Sequence, residues 1–110
     1  MARSYSCPVE LALHVLGGKW RVVVLAHIKD KPLRYAELRR LAPRMSEKML
    51  TQRLRELVDA GLITRRGERY GLTERGESAR EVLGALYRWG SAVAPQLGAR
   101  IEAPARSRLR

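Results

Sequence analysis

The chain contains a single cysteine, Cys7, among its 110 residues. One cysteine excludes an intramolecular disulfide and a zinc site built from several cysteines, and it is consistent with a reducing cytosol. Long apolar runs are missing as well, since the longest, at residues 22–26, is far shorter than the roughly 18 residues of a membrane-spanning helix. No apolar segment opens the chain as it would in a signal peptide. We therefore expect a cytoplasmic protein with no membrane partner.

Acidic residues are scarce relative to basic ones. The chain has 11 Asp and Glu against 22 Lys and Arg, which gives a formal net charge of +11. Such an excess favours a polyanionic partner, and nucleic acid is the first candidate. The length supports one domain with a modest core. We assign residues 7–96 to this domain, with a flexible arm at 1–6 and a basic, disordered tail at 97–110.

The sequence has no recognisable catalytic or metal-binding motif. The Gly-Gly-Lys segment at 17–19 departs from a phosphate-binding loop, because Leu13 stands in place of the first glycine and Trp20 replaces the serine or threonine. His14 and His27 lack partners at metal-ligand spacing, and we expect both to be half-buried helix residues. The sequence therefore predicts no enzyme activity, no cofactor and no metal.

A predicted amphipathic helix at residues 46–60 lies at the centre of the chain. Ser46 suits its N-cap and Gly61 its C-terminal end. Apolar side chains recur at i, i+4, i+7 and i+8, the spacing that buries one helix face. They are Leu50, Leu54, Leu57 and Val58.

The opposite face of this helix carries polar side chains that suit DNA, namely Lys48, Thr51, Gln52 and Arg55. Lysine and arginine bind phosphates or guanine, glutamine can pair with adenine, and threonine can contact thymine. In isolation, a solvated amphipathic helix explains the same face equally well. The neighbouring segments decide between the two interpretations.

Two helices are predicted at the start of the domain. The first begins at Pro8, with Cys7 as its N-cap, and its apolar stripe is Val9, Ala12, Leu13 and Leu16. The segment 19–28 also allows a strand through its Val-Val-Val run, but no turn signal interrupts the pattern, which favours a helix. Its predicted buried side carries Trp20, Val23, Val24, His27 and Ile28.

A short helix at residues 34–42 precedes the central helix and is expected to bury Tyr35, Leu38 and Leu41. Pro43 ends this short helix, and only two residues separate the proline from Ser46. Two helices joined by so short a turn indicate a helix-turn-helix, with 46–60 as the recognition helix.

Two short β-prone runs follow, at residues 62–65 and 69–72, and residues 66–68 join them through a central glycine. This pattern predicts a β-hairpin, or wing. Three arginines lie near its tip, within reach of phosphates or a minor groove, and they are Arg65, Arg66 and Arg69. A solubilising surface turn is the alternative.

One long helix is predicted after the wing, with Thr73 as its N-cap and Glu74 and Glu77 near its positive end. A wide apolar face follows, which favours dimerisation, although a lid on the chain's own core is the alternative. The face consists of Ala79, Val82, Leu83, Leu86, Gly90 and Val93, widened by Tyr87 and Trp89. The predicted fold is mainly α with a small β-hairpin wing, a winged helix-turn-helix that dimerises through its terminal helices.

Four segments carry a resemblance to a known family: CPVELALHVLGGKW at 7–20, LRYAELRRLAPRMSEKMLTQRLRELVDAGLITR at 33–65, LTERG at 72–76 and LYRWG at 86–90. Over residues 7–93 the chain resembles the HxlR-type winged helix-turn-helix transcriptional regulators. The resemblance implies a bacterial homodimer whose first and last helices pack across the dimer axis and whose recognition helices enter major grooves. Unlike the family pattern, the wing here has only Gly67 and Glu68 where relatives carry a longer, proline-containing segment.

The resemblance also implies that Cys7 senses an electrophile or oxidant. A thiol at a helix N-terminus has its thiolate favoured by the helix dipole, and Arg3 and Lys19 are expected to add to this effect. The alternative is a small buried residue ahead of Pro8. A small-molecule or oxidant effector would act by favouring one spacing of the two recognition helices over another.

The predicted function is a homodimeric regulator that binds a palindromic operator in double-stranded DNA, and a non-specific architectural protein that binds nucleic acid is the alternative. The residues expected to contact bases are Lys48, Gln52 and Arg55, with Thr51 and Ser46 in support. Those expected to hold phosphates are Arg34, Arg44, Arg53, Arg65, Arg66 and Arg69. The expected dimer interface is formed by Val9, Leu13, Val82, Leu86, Trp89 and Val93.

Overall fold

The computed structural model describes residues 3–102. Its elements, in chain order, are α1 Pro8–Leu16, α2 Lys19–Ile28, β1 Leu33–Arg34, α3 Tyr35–Leu41, α4 Glu47–Asp59, β2 Ile63–Arg66, β3 Arg69–Leu72, α5 Glu74–Ser78, α6 Arg80–Val93 and a 3-10 turn at Pro95–Leu97. The predicted fold class, mainly helical with a small antiparallel sheet, is confirmed. The arm residues 1–2 and the tail residues 103–110 lie outside the described part of the chain.

The second helix, α2, runs through the centre of the core. The helix predicted for 19–28 is confirmed, and Val24, Leu25 and Ile28 are almost completely buried. The predicted stripe omitted Leu25, because α2 is covered on more than one side and its burial does not follow a single stripe. The expectation that both histidines are half-buried was wrong, since His14 is exposed and His27 is buried, although His27 does lie on the predicted buried side of α2.

A compact turn joins α3 to α4. The Met45 side chain is buried, its N–H donates to the Ala42 carbonyl (3.1 Å), and its own carbonyl accepts from Arg39 (3.2 Å). Leu38 is buried as predicted, whereas Tyr35 and Leu41 are half-buried. The two residues between Pro43 and Ser46 therefore include an anchor in the core, which holds the relative orientation of the two helices.

The sheet has three strands rather than the two of the predicted hairpin. Strand β1, which the pattern of apolar residues did not indicate, pairs antiparallel with β3, and the strand order is β1-β3-β2. Ile63 pairs with Leu72, and Leu33 pairs with Tyr70. Because paired residues project from the same face, these four side chains cover the face that packs on the helices, where Leu33 and Ile63 are buried.

The long helix predicted after Thr73 is instead two helices, α5 and α6, separated at Ala79. The last turn of α5 tightens, because the Ala79 N–H bonds to the Gly76 carbonyl three residues back and the Ser78 hydroxyl donates to the Arg75 carbonyl. The predicted cap is confirmed, since the Thr73 hydroxyl accepts from the Gly76 N–H at 3.1 Å.

Close packing holds α5 against the end of α4. A Cβ atom on Gly76 would lie 2.2 Å from the Leu62 carbonyl oxygen, so only glycine permits this approach. Within residues 3–102, no single helix is long and apolar enough to cross a membrane. Only α1 and α2 taken together, bent by 75°, reach the required length and composition, and a buried core helix such as α2 contributes to that result.

His27 should make the stability depend on pH. Burial lowers the pKa of His27 below its ordinary value of 6.5, against the weaker opposing effect of Asp30. Because the folded pKa is depressed, the unfolded chain binds the proton more readily. The stability that neutral His27 contributes is therefore complete above about pH 6.5 and is lost as the pH falls through the folded pKa.

We expect the free energy of unfolding, measured with urea, to decrease between about pH 8 and about pH 5. The decrease should be larger in the wild type than in His27→Gln. The variant also serves as the control for the carboxylates, because these groups titrate in both proteins. Parallel losses in the two proteins would contradict this role of His27.

Candidate nucleic-acid interface

Helix α4 is anchored along one face and capped at both ends. Leu50, Leu54 and Leu57 are at most 2% exposed. The predicted burial of Val58 was wrong, since this side chain is 42% exposed. At 100° per residue Val58 lies about 80° around the helix from Leu50, at the margin of the buried stripe. The predicted N-cap is confirmed, because the Ser46 hydroxyl accepts from the Met49 N–H at 3.1 Å.

The opposite face of α4 is polar and open. Four predicted contact residues are all exposed, and with Glu47 they line one shallow depression along the helix. They are Lys48, Thr51, Gln52 and Arg55. Gly61 follows α4 with a φ of 75°, a left-handed conformation that turns the chain directly towards the wing. The fold therefore presents these four side chains together, on a helix whose other side is fixed in the core.

Tyr35 links α3, in which it lies, to α4, a role that the sequence pattern did not indicate. Its hydroxyl donates to the Glu47 carbonyl at 3.3 Å, at the first turn of α4. The Thr51 hydroxyl lies 3.5 Å from the same oxygen. Because helical spacing counts tyrosine only as a partly apolar residue, a contact made by its hydroxyl leaves no signal in the sequence.

Three arginines form a row across the sheet. Arg34 in β1 is paired with Arg69 in β3, and Arg66 in β2 is paired with Arg69 from the other side. Directly opposed residues project from the same face, so the row lies on the face of the sheet away from the core. Like charges in this position repel one another, and a bound anion would relieve the repulsion.

One carboxylate lies close to the arginine row. The Arg34 backbone N–H donates to Glu37 at 2.8 Å, and this hydrogen bond lowers the pKa of Glu37, with the charges of Lys31 and Arg69 adding to the effect. Arg65 projects from the other face of the wing, with its guanidinium 5.6 Å from the centre of the Tyr70 ring. The wing arginines are thus divided between two faces.

Two other predicted phosphate ligands are engaged with carboxylates. Arg44 forms an ion pair with Glu102 at 2.6 Å, and both side chains are exposed. Arg53 is half-buried and pairs with Glu56, one turn further along α4, at 3.1 Å. Arg53 also lies roughly on the opposite side of α4 from Lys48 and Arg55 at 100° per residue. The structure does not bring Arg53 to the polar face.

The terminal helices expose apolar side chains. Val9 and Leu13 on α1 are each 64% exposed, and Trp89 on α6 is 69% exposed. Val82 and Leu86 are also exposed, whereas Val93 is half-buried. Further exposed apolar side chains, which the predicted interface did not include, are Leu11, Tyr87, Leu97 and Ile101.

Cys7 is exposed at the N-cap of α1, and the alternative of a buried residue is wrong. The basic side chains expected beside it are engaged elsewhere. The Arg3 guanidinium lies 3.4 Å from His14 Nε2, and the Lys19 ammonium lies 4.6 Å from the centre of the Trp20 ring. The thiol is therefore open to reagents, but its surroundings differ from those predicted.

Nothing in the part of the chain from residue 3 to residue 102 groups three or more His, Cys, Asp or Glu residues in a way that could hold a metal ion. Three clefts in this range are open to solvent and are lined largely by charged and polar side chains.

Known proteins resemble this chain in both sequence and fold. The model of the HxlR-like helix-turn-helix family matches residues 15–97. An HTH-type transcriptional regulator from Methanothermobacter thermautotrophicus is 43% identical over 93 residues, which are 78% of this chain and 71% of the relative. The relatives found in this way carry regulator names rather than enzyme names.

Two solved structures extend the comparison. The redox regulator HypR in its oxidized form has 35% identity and a TM-score of 0.73, and the match covers 78% of this chain and 96% of HypR. The quinone-bound YodB from B. subtilis has 32% identity and a TM-score of 0.68, with 78% of this chain and 99% of YodB covered.

Proposed function

Because this chain belongs to the HxlR-like helix-turn-helix family, we propose that it is a transcriptional regulator that binds a palindromic operator as a homodimer. The observation that carries the proposal is the polar face of α4, where four side chains suited to DNA stand exposed on a helix anchored by three buried leucines. A helix held in this way can enter a major groove without losing its packing on the core.

In this proposal α4 contacts bases. Gln52 can pair with adenine through two hydrogen bonds, and Lys48 and Arg55 can bind guanine or the flanking phosphates. Thr51 supports them, with its hydroxyl close to that of Tyr35. Ser46 acts chiefly as the cap of α4, because its hydroxyl already accepts the Met49 N–H.

The sheet supplies the principal phosphate contacts. The row of Arg34, Arg69 and Arg66 gains most from an anion, because the three cations oppose one another directly. Arg65 reaches phosphates from the other face of the wing. Arg44 and Arg53 contribute only after leaving Glu102 and Glu56, so their effect on affinity is expected to be smaller.

The dimer is proposed to form through α1 and α6. Three apolar side chains, Val9, Leu13 and Trp89, are largely exposed to water. A second copy of the chain would cover this apolar surface. Two recognition helices related by a two-fold axis would then contact half-sites about 34 to 36 Å apart, or a multiple of that distance.

We also propose that Cys7 senses an oxidant or an electrophile. Its thiol is exposed at the N-cap of α1, one of the two proposed dimer helices. Among the similar structures, HypR is a redox regulator and YodB is bound to a quinone. With one cysteine in each chain, oxidation can give an intersubunit disulfide, a mixed disulfide with a small thiol, or an adduct.

Substitution separates base contacts from phosphate contacts. Gln52→Ala should change the preferred operator sequence, with about 1 to 3 kcal/mol of lost discrimination at one base pair. Arg66→Ala should weaken all DNA sequences alike and reduce the salt dependence of log K by about one unit. Fluorescence anisotropy with a selected operator and a scrambled duplex, over a range of salt, measures both effects.

Equal weakening of operator and scrambled DNA by Gln52→Ala would defeat the assigned division of roles. Equal binding of both duplexes by the wild type would support the architectural alternative instead. A specific regulator should prefer its operator by roughly a thousandfold or more.

The dimer interface is tested by placing charge on the exposed apolar side chains. Leu13→Glu and Trp89→Glu should each shift sedimentation equilibrium towards the monomer without loss of helix content, because neither side chain is buried within the chain. Val58→Glu, at an exposed apolar position on α4 outside the proposed interface, is the control. A wild-type monomer at high micromolar concentration would overturn the interface.

Sensing is tested by treating reduced protein with a quinone or with diamide. We expect intact-mass spectrometry to detect modification of Cys7, together with a change in operator affinity that Cys7→Ser abolishes. Unmodified protein, or an affinity change that persists in Cys7→Ser, would remove Cys7 from the mechanism.

A further inference from the structure

A cleft of about 420 Å³ lies at the base of the wing, away from the polar face of α4. Its walls are the loop that joins α2 to β1, the outer face of β2 and β3, and the junction between α5 and α6. Pro32 forms part of the floor, close to the position that a Cβ atom on Gly71 would occupy (3.4 Å). Leu72, which is half-buried, adds further apolar surface, whereas Ile28 lies behind the wall and is almost completely buried.

The charges around this cleft are unbalanced. Five basic side chains and two acidic ones line it, namely Lys29, Lys31, Arg66, Arg69 and Arg80 against Asp30 and Glu77. Both carboxylates are already engaged: Lys29 pairs with Asp30 at 3.1 Å, and Arg80 pairs with Glu77 through two contacts of 2.9 and 3.2 Å. The remaining positive charge is on Lys31, Arg66 and Arg69, and one carboxylate outside the lining, Glu37, interacts with Lys31 and Arg69. The cleft therefore keeps an excess of positive charge even when Glu37 is counted.

We propose that this cleft binds a small organic anion with at least two acidic oxygen-bearing groups, a phosphate ester or a polycarboxylate. The volume lies within the range of small-molecule sites, about 300 to 1,000 Å³. The apolar floor accommodates a short carbon skeleton, while Lys31, Arg66 and Arg69 bind the acidic groups.

The consequence for regulation rests on the proposed function. Arg66 and Arg69 belong both to this cleft and to the proposed phosphate contacts, so the anion and DNA compete for the same two guanidinium groups. By linkage, an anion that lowers the affinity for DNA is itself bound more weakly by the DNA complex, by the same factor. The anion would thus release the protein from its operator without any change at the dimer interface.

Direct binding is tested first, without DNA. Isothermal titration calorimetry with fructose 1,6-bisphosphate, a phosphate ester, and separately with citrate, a polycarboxylate, is carried out on the full chain at a constant ionic strength set with sodium chloride. Glu77→Gln should strengthen binding about two- to fivefold, because it frees Arg80 and removes a negative charge from the wall. Lys31→Gln should weaken binding by a similar factor.

The matched control is Glu81→Gln, which removes the same charge from an exposed position on α6 that does not line the cleft. Its affinity for the anion should equal that of the wild type. A higher anion affinity in Glu77→Gln cannot arise from misfolding. Comparing Glu77→Gln with Glu81→Gln therefore separates the effect of the cleft from the effect of the net charge of the protein. Tighter binding of fructose 1,6-bisphosphate than of citrate would assign the site to phosphate esters, and the reverse order to polycarboxylates.

Competition is tested next, by adding the anion to the protein–DNA complex at constant ionic strength. DNA should be displaced at a lower anion concentration in Glu77→Gln than in Glu81→Gln. Absence of binding heat, or equal gains in the two variants, would overturn the site. The anion site would also be overturned if the wild type binds no anion and Lys31→Gln weakens DNA binding. That result would show that the cleft contacts DNA. Anion binding with the expected variant pattern, in a protein that binds no DNA, would uphold the site and refute the proposed function.

Discussion

The burial of Leu50, Leu54 and Leu57 against the core fixes the orientation of α4, and the other structural features of the interface depend on it. Helix α2 packs against α4 and provides the buried surface that receives these leucines. Burying three leucine side chains stabilises the arrangement by roughly 5 to 9 kcal/mol relative to exposure, which is comparable to the net stability of a whole domain. Because exposing these three side chains would cost about as much as the whole net stability, the polar face cannot rotate without unfolding the domain.

Smaller interactions refine this orientation. Buried Met45 and the Arg39 hydrogen bond hold the turn, and Tyr35 fastens the first turn of α4 to α3. Gly61 then directs the chain into the sheet, whose outer face carries the arginine row. The row has unfavourable internal electrostatics, which suits a surface that becomes most stable when it meets a polyanion.

Periodicity predicted the parts of the fold that bury one regular face. The capped helix α4, the helix α2 and the hairpin followed from spacing, turn residues and caps. Strand β1 was missed because two residues are too few to carry a period, and they form a strand only through pairing with Tyr70 and Arg69. The division at Ala79 was missed because the apolar spacing continues through it. The hydrogen bond from the Ser78 hydroxyl to the Arg75 carbonyl and the close approach of Gly76 to Leu62 leave no mark on that spacing.

The candidate site was predictable to a similar extent. The polar face of α4 followed from the helical wheel, whereas the pairing that aligns Arg34, Arg69 and Arg66 required the sheet register. Arg44 and Arg53 were selected by charge alone, and charge does not reveal that Glu102 and Glu56 already engage them. The basic cleft was invisible in the sequence, because residues from 28 to 80 that are distant along the chain line it.

In the proposed dimer, two copies of α4 on a two-fold axis recognise one DNA sequence. This arrangement is tested by selecting bound fragments from a random DNA pool. We expect enrichment of an inverted repeat whose half-site centres lie about 34 to 36 Å apart, or a multiple of that distance. Recovery of DNA with no common sequence, or of single half-sites without a repeat, would contradict it.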